Sequence, residues 1–208
     1  MRLYNNKGKV FPEYIKIDGE AVAINADFRN ILRIFAMMKE KDNKIPAVRK
    51  ISKLRDWFLM GAARAEPLPY DLIIQVFCQF INPEKGVNQG QNGDNPEKLE
   101  ARGERQFCYE FDAEEIYAGF LSEYNIDLIE CGFLHWYKFK IMLENLSEAS
   151  AFKKKIALRF LDLSRISREE PGFSDILNAR ESVQLPYDYS EQEMLEMSEF
   201  EKFWDRVN

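Results

Sequence analysis

The run from Phe111 to Leu146, FDAEEIYAGFLSEYNIDLIECGFLHWYKFKIMLENL, leaves this chain few ways to fold. Apolar residues recur at helical spacing on both sides of a short joint, so the stretch reads as two amphipathic helices. Asp112 and Glu115 stand three apart at the first start, the arrangement of a capping box. Ile116, Phe120 and Leu121 follow on one face, with Tyr117 and Tyr124 flanking it. Asn125 suits a helix end in the left-handed region. Asp127, Glu130, Cys131 and Gly132 make the joint. From Leu134 to Leu146 a second helix is predicted, and Trp136, Phe139, Ile141, Met142, Leu143 and Leu146 give it a broad apolar surface. The aromatic residues around the joint read as a packing hinge that fixes the angle between two helices.

The N-terminal third begins differently. Ile15 and Ile17 alternate with polar residues, Asp18-Gly19 intervenes, and Val22 and Ile24 alternate again. Asp-Gly between alternating runs predicts a β-hairpin, because a tight hairpin turn needs positive φ at its centre. A lone hairpin is marginal in water and must pack on helices or pair with another chain. Asn25 or Asp27 caps the helix that follows. Phe28, Ile31, Leu32, Phe35 and Met38 share a face of that helix. Further helices are predicted from Pro46 to Met60 and from Asp71 to Ile81. The latter is apolar almost all round, and its start and stop signals favour helix over buried strand.

Residues 83–105 are rich in Gly, Asn, Gln and charge and read as a mobile central loop. Their glycines match no phosphate-binding pattern. Ser147 to Ser164 reads as a helix with Phe152, Ile156, Phe160 and Leu163 as its core stripe. Lys153, Lys154, Lys155 and Arg159 lie largely outside that stripe. Ser174 to Val183 reads as a short helix. Ser190 to Val207 reads as an acidic one, with Met194, Met197, Phe200 and Trp204 on one stripe that docks on the body or awaits a partner.

Chemistry is harder to find. The net charge is −6, which disfavours general binding to a phosphate backbone, although Arg29 to Arg64 is locally basic. That basic run reads as solvated helix faces or as a surface for a partner. Cys78, Cys108 and Cys131 are widely spaced, and with His135 as the single histidine they do not make a zinc set. Reduced cysteines imply a cytosolic compartment. No apolar run suits a signal peptide or approaches the ~20 residues of a membrane span. His135 has no implied nucleophile or acidic orienter and reads as a packed histidine. Glu114 with Glu115, and Asp127 with Glu130, could serve as acid/base pairs, but capping and joint hydrogen bonds explain them more simply. Trp136 and Tyr137 beside Lys138 could stack on bases, but read more simply as core. The expectation is a protein that is not an enzyme, with no cofactor and no metal.

One combination of residues is more specific. Asp112 opens a helix, and Ile116-Tyr117, Phe120-Leu121, Tyr124 and Ile126-Asp127-Leu128 follow. Then come Leu134-His135-Trp136-Tyr137, Phe139, Leu143 and Leu146, and in the next helix Ile156 with Arg159. Asp27-Phe28-Arg29 after a strand adds to the set. This pattern resembles the gene-product-fifteen family of bacteriophage proteins, over 112–164 well and over 14–38 loosely. The chain departs from that pattern in having Asn125 where Gly is frequent and Tyr137 where Trp is frequent. Asn tolerates positive φ and Tyr keeps the ring. The family resembles tail assembly chaperones of long-tailed phages of Gram-positive hosts. The resemblance implies a non-catalytic role in binding the tape-measure protein during tail morphogenesis, with recruitment of tail-tube protein. It places the protein in the host cytoplasm and outside the mature virion. A structural head-tail or tail-completion component is the alternative, and a nucleic-acid-binding regulator or a small hydrolase a more distant one.

The resulting expectation is a mainly α fold, a multi-helix bundle with a small N-terminal β-hairpin and a mobile central loop. It divides into a hairpin with helices over 1–82, the loop over 83–105, a core helical motif over 106–165 and a C-terminal extension over 166–208, within one globular domain. Candidate partner-binding residues are Tyr117, Tyr124, His135, Tyr137, Met194, Met197 and Trp204. Self-association is also expected, and no contact with membrane.

Overall fold

The computed structural model describes residues 11–17, 19–39, 46–61, 68–81, 106–166 and 171–185. Among these residues the chain is mainly helical, with seven α-helices and one two-stranded antiparallel hairpin. It divides into two compact units. Unit 1 comprises Met1–Gly93 and Gly132–Ile141, and unit 2 comprises Asp94–Cys131 and Met142–Asn208. The central loop expected over 83–105 and the acidic helix expected over Ser190–Val207 lie outside the described residues.

In unit 1 the hairpin pairs β1 (Tyr14–Ile17) with β2 (Glu20–Ala23) in the register Tyr14↔Ala23 and Ile17↔Glu20. Gly19 sits at φ 85, the positive value that the turn requires. Beyond β2 the backbone stays extended and is bonded twice more. Asn25 N–H donates to Phe58 O at 2.8 Å and Met60 N–H to Ala23 O at 2.9 Å. Phe28 N–H then donates to Leu134 O at 2.9 Å, and Trp136 N–H to Ala26 O at 2.7 Å. One short segment thereby pins the end of one helix and the start of another.

Asp27 begins α1 (Phe28–Lys39). Its Oδ1 accepts Arg29 N–H at 3.0 Å and its Oδ2 accepts Leu134 N–H at 3.3 Å. The buried line of α1 is Phe28, Ile31, Ile34 and Met37. Leu32, Phe35 and Met38 are half-buried beside it. FRNILRIFAMM is apolar on most sides, so spacing pointed to Leu32, Phe35 and Met38 and missed Ile34 and Met37, and the bonds at Asp27 turn the helix onto the line observed. α2 (Ala47–Phe58) starts after Pro46, whose carbonyl accepts from Arg49 and Lys50 N–H. α3 (Tyr70–Ile81) is the helix expected from Asp71, and it buries Ile73, Ile74, Val76, Phe77 and Phe80.

In unit 2, α4 (Ala113–Tyr124) ends at Asn125, whose φ of 51 is the left-handed cap expected of it. A Cβ on Gly119 would lie 2.9 Å from Leu146 Cδ1, so the absent side chain lets α4 approach Leu146. α5 (Trp136–Glu144) is shorter than Leu134 to Leu146, because Leu134 and His135 are taken up by the bridge to residues 26–28. Its first six residues belong to unit 1, so the stretch that reads as one hinged pair of helices is shared between the units.

The single helix expected from Ser147 to Ser164 is instead a turn, one α-helix and a 3-10 turn. Ser147 donates its N–H to Glu123 Oε2 at 2.9 Å and its hydroxyl to Glu123 Oε1 at 2.7 Å. Ser150 then caps α6 (Ala151–Arg159) by accepting Lys153 N–H at 3.2 Å. Asp162 caps a single 3-10 turn, Leu163–Arg165. Short polar side chains compete for backbone bonds and so start helices rather than continue them. α7 (Phe173–Ser182) follows, close to the expected Ser174 to Val183, and packs on α6.

The capping box at Asp112 is not formed. Asp112 is fully buried, and its carboxylate accepts Cys108 N–H at 2.9 Å and two bonds from the Arg159 guanidinium, one of them at 2.9 Å. Glu115 pairs with Lys155 at 2.8 Å, and Lys155 also reaches Asp112 at 3.1 Å. Arg159, expected outside the core, is 4% exposed. The lysine-rich run around it looked like a solvated face, but a buried carboxylate from the preceding helix start draws it inward. Phe160, expected in the core stripe, is 41% exposed.

Candidate protein-interaction surface

An aromatic ladder runs through unit 1. Phe28 stacks on Phe139 at 4.6 Å, Trp136 meets Phe139 at 5.8 Å and Phe35 at 5.5 Å, and Phe35 meets Phe77 at 6.3 Å. Phe77 meets Phe58 at 5.1 Å, Phe58 meets Phe80 at 5.3 Å, and Phe80 stacks on Tyr137 at 5.1 Å. Each such pair adds ~0.5–1.5 kcal/mol beyond the area it buries. The ladder ends at His135, which lies 5.1 Å from Phe11, 5.3 Å from Tyr137 and 6.2 Å from Phe133. Phe133 is 61% exposed, so the outermost ring is wet and the rings beneath it are fixed.

The histidine at the base is fully engaged. Its Nδ1 accepts Tyr137 N–H at 3.1 Å, which places the proton on Nε2, and that N–H donates to Pro12 O at 3.0 Å. Burial pushes its pKa below 6.5, against the opposing pull of the Pro12 carbonyl and Glu13. Protonation would put a second N–H where Nδ1 now accepts. Tyr137 donates its hydroxyl to Phe80 O, and burial pushes its pKa up to about 12.

A pH dependence follows with a definite sign. The unfolded chain binds a proton at His135 near pH 6.5 while the folded chain resists it. Stability is therefore complete above 6.5 and declines as pH falls toward the folded value. Burial alone would raise Asp27 and Asp112. Hydrogen bonds from Arg29 and Leu134 to the first, and from Arg159, Cys108 and Lys155 to the second, hold both below 3.8. A second loss therefore begins below about pH 4, where unfolded carboxylates take up protons. Urea unfolding across pH 3–8 should show two steps, and His135→Gln should remove the upper one. Greater stability at pH 5.5 than at pH 7.5 in the parent would contradict this assignment.

The other candidate residues sit elsewhere. Tyr117 donates its hydroxyl to Asp127 Oδ2 at 3.1 Å, and Tyr124 donates to Met142 O at 2.9 Å, both within unit 2. Asp127 also accepts Ile129 N–H at 2.8 Å and Glu130 N–H at 3.1 Å, which holds the turn that presents Ile129, 73% exposed. Met194, Met197 and Trp204 lie outside the described residues. The structure thus brings His135 and Tyr137 together and adds Phe11, Phe80 and Phe133. Phe133 was missed, although a large apolar residue directly after Gly132 and ahead of the helix start was a signal for it. Phe11 and Phe80 are far away in sequence and carry no such signal.

Residues that share no local motif are each other's partners. Asp27 of the N-terminal helix start accepts from Leu134, and Arg29 donates to Gly132 O at 2.7 Å. Asp112 is bound by Arg159. The recurring acids, arginines and aromatics are therefore the frame of each unit. Among the described residues, no helix is long and apolar enough to cross a membrane. No curated protein and no solved structure matches the chain. The model of one family, described as Bacteriophage Gp15 protein, matches residues 9–185. With most of its length so matched, and with the pattern residues paired as the frame of both units, the chain belongs to the Bacteriophage Gp15 protein family and is a phage protein.

Proposed function

We propose that the protein is a non-catalytic tail-assembly chaperone that binds the tape-measure protein in the host cytoplasm during tail morphogenesis, and that it is left out of the finished virion. The observation that carries this reading is Phe133, 61% exposed at the head of a fixed aromatic ladder. An apolar ring held on a rigid base loses little freedom on binding and suits the apolar face of a helical client. The titratable group beside it supports the same reading: His135 spends both ring nitrogens on backbone. Recruitment of tail-tube protein would follow client binding.

Co-expression with the tape-measure protein of the same phage should raise the soluble fraction of that protein and allow the two to co-purify. Mass spectrometry of purified particles should find the chaperone absent. Stoichiometric copies in the particle, with no effect on solubility, would favour a structural head-tail or tail-completion component.

A further inference from the structure

Unit 1 carries a second surface, remote in sequence from the aromatic rim. α1 packs on α2, and the Arg33 guanidinium lies 3.7 Å from the centre of the Trp57 ring. The Lys53 ammonium lies 5.9 Å from the same ring. Arg49, Lys53 and Trp57 recur every four residues and so share one side of α2. The Trp57 carbonyl is held by Asn30 Nδ2 at 2.8 Å, which anchors this end of the helix. Asp56 is the one acid of α2, and it pairs with Arg55 at 3.0 Å. Among the described residues, Arg33, Arg49 and Lys53 pair with no carboxylate. Two cations thus lie over a half-buried tryptophan, with Arg49 one turn beyond Lys53 on the same side of α2, in a chain of net charge −6.

Cations already placed over a ring are partly ordered, so an arriving carboxylate meets donors at reduced entropic cost. Matching charge exists in the chain itself. Between Pro186 and Asn208 there are seven acids and two bases, a net of −5. Helical spacing there puts Met194, Met197, Phe200 and Trp204 on one stripe, with Glu193 and Glu201 on the same side. That is the chemistry of an acidic amphipathic helix, whose carboxylates would meet Arg33, Arg49 and Lys53 while its apolar stripe covers Trp57.

We propose that the acidic segment of one copy docks on the Arg33–Arg49–Lys53–Trp57 face of a second copy, so that the protein self-associates. Sedimentation velocity on the full chain tests this. Association should weaken at least about tenfold from about 0.05 M to about 0.5 M salt, because exposed charge pairs are screened. The double variants Arg49→Glu/Lys53→Glu and Glu193→Lys/Glu201→Lys should each lose association. Mixing the two should restore it, since the charges are complementary again. The acid-side variant alters no residue of the described frame, so its result stands even if the basic-side variant folds poorly. A parent that stays monomeric at low salt overturns the proposal. So does a mixture that fails to associate, which would assign the basic face to another partner, nucleic acid included.

Discussion

Arg159→Ala is expected to cost about 3–5 kcal/mol of folding stability, among the largest effects available to one substitution in this chain. The guanidinium donates to Asp112 twice, to Gln106 O at 3.0 Å and to Val183 O at 2.5 Å, and it is 4% exposed. Removing it leaves the fully buried Asp112 carboxylate with Lys155 and Cys108 N–H alone, and leaves two backbone carbonyls short of a donor. Lys155 already spans Asp112 at 3.1 Å and Glu115 at 2.8 Å, and one ammonium does not replace a forked guanidinium. Urea unfolding monitored by circular dichroism checks the size. A double variant, Asp112→Leu with Arg159→Met, should be more stable than either single variant, because an apolar pair removes both buried charges together. If Arg159→Ala unfolds at the parent's midpoint, the ion pair is not what joins the helix start at Asp112 to α6.

Trp136→Ala should cost a similar ~3–5 kcal/mol, through a different mechanism. The ring is 1% exposed and packs edge-on to Phe35 at 5.5 Å and stacked with Phe139 at 5.8 Å. Truncation opens a cavity at the middle of the ladder, where neighbours held by backbone bridges cannot collapse inward. Trp136→Phe should recover most of the loss. A Trp136→Ala protein that melts like the parent but no longer holds its client would make this ring a binding residue.

These two sites also mark how far the sequence could be read. Element types followed from local signals: Asp18-Gly19 for the hairpin, Asn125 for a left-handed helix end, Pro69 and Asp71 for the start of α3. Each depends on residues a few positions apart, where propensity and capping act. The Asp112–Arg159 pair spans forty-seven positions, and each member had a simpler local explanation, a helix cap for the acid and a solvated lysine-rich face for the arginine. The split of Ser147–Ser164 was missed because Ser150 and Asp162 were read as parts of one helix. In fact Ser150 caps Lys153 N–H and Asp162 caps Ser164 N–H. At the candidate surface, His135 and Tyr137 were legible from their neighbours. Phe11 and Phe80 join them only because β1 packs on α3 and the segment before α1 is bonded to Leu134 and Trp136.

Buried pattern residues build the units, and the proposed function assigns recognition of the client to an exposed ring on a rigid base. Binding of the tape-measure protein by a Phe133→Ala variant tests that separation most directly, with thermal melting measured on the same samples. Phe133 is 61% exposed, so the melting temperature should stay within about 1 °C of the parent's. Affinity for the client should fall about tenfold or more, as for an aromatic anchor at an interface. Unchanged affinity, or affinity lost only in step with melting temperature, would contradict the account.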